Sequence, residues 1–95
     1  MQPESYRPCV RQDVSLTEVE DGAVLFDSAS ERLHSLNTTA AYLWILADGS
    51  RTAEEIAAEI SELTGQPHHK VFDDVKESLR TLRRENLLLA DDVSP

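Results

Sequence analysis

Cysteine is nearly missing from this chain: Cys9 stands alone among 95 residues. No internal disulfide can form, so a disulfide-stapled scaffold is excluded and a cytoplasmic setting is the expected one. Glycine and proline are sparse, with 3 and 4 residues, too few for a linker-rich or low-complexity chain and in keeping with one compact domain. No apolar run approaches the length of a membrane span. The start, MQPESYRPCV, lacks the basic segment, apolar core and cleavage site of a signal peptide. A soluble, unprocessed protein with no membrane partner is expected. Basic residues are also in short supply. Nine Lys and Arg face 18 Asp and Glu, a net charge of -9, and the resulting field repels nucleic-acid phosphates and anionic membranes. An anionic partner must therefore meet a local basic patch.

The equipment of catalysis is missing as well. There is no glycine-rich phosphate loop, no nucleophile elbow and no recognisable carboxylate pair. Cys9 falls in a segment expected to be mobile, with no activating partner in view. His68 and His69 are adjacent in an expected loop, and that spacing fits neither a helical nor a tetrahedral ligand set. No enzyme activity, catalytic residue, metal site or cofactor is expected. A chain this short buries roughly 60–70% of its unfolded surface, too little to wall off a deep active site.

What is present is a β-like first third followed by a helical remainder, an α+β order. Val14 to Val19 and Ala23 to Asp27 flank Asp21-Gly22, a pair suited to a tight hairpin turn. After the polar connector SASE, the segment RLHSL (32–36) alternates in character and reads as a third strand of a meander. Asn37 or Thr38 caps a helix whose Ala40, Leu43, Trp44 and Ala47 share one face, with Gly49 as its stop. Thr52 and Glu55 have capping-box spacing ahead of an apolar stripe of Ile56, Ile60 and Leu63, which Gly65 and Pro67 terminate. A third helix is expected from about Val71 to Glu85, with Asp73 and Asp74 near its positive end and Arg83 and Arg84 near its negative end. Asn86 ends it. Leu87 to Leu89 then form a short strand or a plug over the core, before a loose tail. The core runs from about residue 14 to 89 of a single domain, with residues 1–12 and 91–95 expected to be flexible.

The third helix carries two stripes. Val71, Val75, Leu79 and Leu82 fall within one arc of roughly 80°, the core face. Phe72, Lys76, Arg80 and Arg83 fall within an adjacent arc of similar width, aromatic at one end and basic along its length, bordered by the acidic Asp73 and Glu77. On any helix such a stripe can be simply solvated. Phe72 is equally readable as an edge of the core, and Trp44 as core.

DGAVLFD, LHSLNTTAAYLW, DGSRTAEEIAAEI and DVKESLRTLRRENLLL occur in that order from about Val14 to Leu89. With these segments the chain resembles the PqqD-like family of RiPP recognition elements, small winged-helix-type domains that hold the leader segment of ribosomally made precursor peptides. Its freestanding length is similar to members from lasso-peptide and from PQQ pathways, and the residues do not decide between them. The resemblance implies a non-catalytic adaptor. A precursor (leader) peptide would add as a strand to the edge of Arg32, Leu33, His34, Ser35 and Leu36, with its side chains in a groove toward the third helix. An open strand edge suits that role on physical grounds, because unpaired amides and carbonyls give sequence-tolerant affinity. Phe72 and Leu79 would then floor the groove, while Lys76, Arg80 and Arg83 would pair with leader carboxylates. The implied second partner is a separate peptide-modifying enzyme, such as a leader peptidase, cyclase or radical enzyme. The alternative is a winged-helix DNA-binding regulator that reads with its third helix, against which the net charge counts.

Overall fold

The computed structural model describes residues 6–89; the first five residues and the expected loose tail at 91–95 lie outside the described residues. Three strands, β1 (Val14–Val19), β2 (Gly22–Asp27) and β3 (Arg32–Asn37), precede three helices, α1 (Thr38–Leu46), α2 (Ala53–Thr64) and α3 (His68–Arg84). This is the α+β order expected: an antiparallel meander with β2 in the middle, then helices.

The first hairpin closes one residue earlier than expected. Val19 pairs with Gly22, so Glu20 and Asp21 form the turn and Gly22 opens β2. Glycine is needed there because a Cβ would collide with the Leu36 carbonyl oxygen of β3. The missing side chain is what lets β3 lie flush against β2. Directly opposed residues share a sheet face. Leu16, Leu25 and His34 form one row on the helix side, and Glu18, Ala23 and Leu36 the next. Phe26 and Leu33 oppose each other on the outer face, 41% and 69% exposed.

β3 runs straight into α1. The Asn37 Oδ1 accepts the Ala40 amide at 2.8 Å, so one residue ends the strand and caps the helix. Ala40, Leu43, Trp44 and Ala47 are all buried, as their spacing predicts. The helix stops at Leu46, short of Gly49, because the chain turns to bridge Asp48 with Cys9. The Thr52–Glu55 capping box is formed in both directions, and Gly65 closes α2 in the left-handed conformation. Ile56 and Ile60 are buried, but Leu63, expected on the same stripe, is exposed. α3 begins three residues before Val71, behind Pro67, which takes His68 and His69 out of the expected loop and into its first turn. Val71, Val75, Leu79 and Leu82 are its buried face. Asn86 then takes a positive φ of 66° and turns the chain so that Leu87 and Leu88 enter the core.

The N-terminal segment differs most from expectation. Residues 1–12 lack any periodic signal, yet Tyr6, Pro8 and Val10 are buried. Val10 bridges to Leu88, and the Cys9 carbonyl accepts the Leu89 amide at 2.8 Å. Arg11 secures this seam. Its guanidinium grips Asp27 through two hydrogen bonds of 3.0 and 3.1 Å, grips Asp13 through two more, and reaches the Asn86 carbonyl. Asp27 is the one charged residue buried among those described, and Arg11 holds its carboxyl below the usual carboxylate range, helped by Ser30 and the Ala29 amide. Cys9 is thus half-buried and backbone-bonded.

Candidate functional site

β1 and β3 are the two edges of the sheet, and β3 pairs only with β2. Beyond its outer edge stands α3, which is packed on α1 and α2 through the buried stripe. No Cα of β3 lies within 8 Å of a Cα of α3. Strands of a sheet lie about 4.8 Å apart, so α3 does not occupy the position next to β3 that a further strand would take. The two elements run antiparallel. Arg32, at the start of β3, meets Glu85, just past the end of α3, at 4.0 Å.

A cavity of about 280 Å³ occupies the gap. Ser35, Leu36 and Asn37 of β3 form one wall, with Ala40 of α1 at its end. The opposite wall is Asp74, Glu77, Ser78, Thr81 and Leu82 of α3. The first four of these have the i, i+3, i+4, i+7 spacing of a single helix face. Leu36, Ala40 and Leu82 give the cavity an apolar floor, and Leu82 is almost fully buried. The volume suits one or two side chains and falls below the range of ordinary small-molecule sites.

Of the residues expected at this site, Ser35 and Leu36 line the cavity, Ser35 from the strand edge, and Arg32 and His34 are on the same face of the sheet as Leu36. Leu33 faces away, onto the outer surface beside Phe26. Leu79 is 5% exposed, belongs to the core and is not among the residues lining the cavity. Phe72 is half-buried against the core on the other side of α3. Lys76 lies over the Phe72 ring at 4.6 Å and pairs with Asp73, while Arg83 bonds the Tyr6 hydroxyl at 2.9 Å and covers its ring. Arg80 is exposed on the same flank. At 100° per residue this basic flank and the cavity wall are centred roughly 150° apart. The basic stripe expected at the groove thus lies away from the cavity, whose α3 wall carries carboxylates and hydroxyls. Their signal was present in the sequence as a second polar stripe. Which stripe faces β3 depends on how α3 is set across the sheet, and helix periodicity does not contain that.

Nothing among the described residues forms a metal-binding group of three or more His, Cys, Asp or Glu. His68 sits against Phe72, with ring centroids 6.0 Å apart. No helix among the described residues is long and apolar enough to cross a membrane.

Residues 22–88 match the family of coenzyme PQQ synthesis protein D, PqqD. The chain belongs to the PqqD family. The matched span runs from the glycine that seats β3 to the leucines that close the core. Two solved structures share the PqqD-like fold. The complex of TbiB1 with the TbiA(beta) leader peptide is 24% identical, covering 87% of this chain and 99% of that one, with a TM-score of 0.69. A lasso peptide synthetase B1 complexed with the leader peptide is 22% identical over 88% and 99%, with a TM-score of 0.68. No curated protein matches the chain.

Proposed function

We propose that this domain is a non-catalytic adaptor of a RiPP pathway, of lasso-peptide or related type. It takes the leader segment of a precursor peptide as a fourth strand on the free edge of β3 and presents it to a separate modifying enzyme. The observation that carries this reading is the edge of β3 left unpaired by the sheet, with a cavity between it and α3. Backbone hydrogen bonds from the edge supply affinity for any extended peptide, and the cavity selects alternate side chains. Membership of the PqqD family and likeness to two proteins solved with leader peptides support it. Arg32 to Leu36 are the docking edge, and the cavity wall of α3 is the opposing face.

The test is a titration of the isotope-labelled domain with the leader of a precursor encoded beside its gene. The largest amide shifts should fall on Arg32 to Leu36 and on Asp74 to Leu82. Shifts concentrated instead on the outer sheet face around Phe26, or on α2, would show that the peptide docks elsewhere.

A further inference from the structure

We propose that the β3–α3 groove selects a peptide with a basic side chain two residues away from an apolar one. This deepens the strand-addition reading and rests on it. The two seats are distinct. Leu36, Ala40 and Leu82 form an apolar floor, while Asp74 and Glu77 present carboxylates to the same cavity. Asp74 shares its charge with Lys70 at 3.6 Å, an exposed i,i+4 pair of little strength. Glu77 enters no ion pair with another described residue. Ser78 and Thr81 add hydroxyls that can accept from a guest ammonium or guanidinium.

The spacing of the seats matches that of a strand. Leu82 lies five positions beyond Glu77, a rise of about 7.5 Å along the helix axis, and both line the cavity. Side chains i and i+2 of an extended peptide point the same way and stand about 6.8 Å apart. A guest strand lying along β3 therefore sets one side chain on the floor and the next on that face beside Glu77. Because β3 and α3 run antiparallel, the carboxylates lie toward the Asn37 end of the edge and Arg32 toward the other. At one end of the groove Glu77 is without an ion-pair partner among the described residues, while at the other Arg32 is already paired with Glu85, so a guest cation is drawn to the Glu77 end. Glu77 without an ion-pair partner among the described residues, and Asp74 only weakly paired with Lys70, favour an incoming positive charge on a chain already carrying a net charge of -9.

A displayed library of random 16-residue peptides, selected separately on the wild-type domain and on Glu77→Lys, tests this. Wild-type binders should be enriched in Lys or Arg two positions from Leu, Ile, Val or Phe. Changing that cation to Glu should weaken a chosen peptide about tenfold at low salt. Selection on Glu77→Lys should lose or invert the preference; if that variant does not fold, Glu77→Gln should reduce it. Amide shifts of the selected peptides locate their binding. Peptides that shift β3 without a basic preference, or whose preference survives both substitutions, overturn the charge selection and leave strand addition standing. Peptides that shift other elements, or a library without binders, overturn both.

Discussion

At the residue scale two side chains, or their lack, set up the edge. Gly22 lets β3 approach β2, and Gly22→Ala should cost more than about 1 kcal/mol, because the new Cβ meets backbone that cannot step aside. The displaced β3 should also bind peptide more weakly. Urea unfolding and the titration above check the two effects separately. Asp27 is the other such residue. Its carboxyl is held below its ordinary value chiefly by Arg11, so folding strengthens its acidity. The unfolded chain binds more protons between the two values. Its contribution is therefore complete above the ordinary Asp value of about 3.9 and is lost as pH falls through the lower folded one. A melting-temperature series from pH 6 to 2 should show this fall, shallower in Asp27→Asn. The slope should persist in part, since Asp13, Asp48 and Glu55 are lowered too. Caps and turns of this kind were readable residue by residue, as with Asn37 and the Thr52–Glu55 box. The Arg11 grip was not, because its partners lie 2, 16 and 75 residues away and no local pattern joins them.

At the element scale, α3 is one helix with three faces. Its core stripe could be read from periodicity, since Val71, Val75, Leu79 and Leu82 are the residues the structure buries. Two polar stripes flank it, one basic and one acidic with hydroxyls, and periodicity ranks neither as the groove wall. The sequence reading placed the peptide on the basic flank, whereas the cavity lies on the other one. The tertiary packing decides: β3 lies on the side of Asp74, Glu77, Ser78 and Thr81. Two substitutions separate the flanks. Lys76→Glu with Arg80→Glu should leave the affinity of a groove-bound peptide within about twofold, as exposed charges across the helix act only through screened distance. Calorimetry at physiological salt checks this, and a loss of tenfold or more would return the basic stripe to the site. Thr52→Ala provides the control for stability. It removes an exposed cap of α2 remote from the groove and should cost about 1 kcal/mol without changing peptide affinity.

At the scale of the whole molecule, two segments far apart in sequence, 9–11 and 87–89, are joined in a seam over the core. Residues 6–12 bring Tyr6, Pro8 and Val10 into the core, and Leu87 and Leu88 meet them from the other end of the chain. Sequence periodicity misses such a seam because a single bridged residue on each side has no repeat to display. Arg83 ties the same seam to α3 through Tyr6, so part of the basic flank has a structural task on the side away from the groove. A chain beginning at Gln12 loses Tyr6 and Val10, each worth about 1.5–3 kcal/mol when buried, together with the Arg11 grip on Asp27. It should unfold at markedly lower urea, or fail to fold at 37 °C, although its strands and helices are all retained. Circular dichroism against urea reads this directly. A truncated chain as stable as the parent would mean that the meander and three helices suffice by themselves. In that case the buried N-terminal side chains would contribute no more than the freedom lost in ordering them.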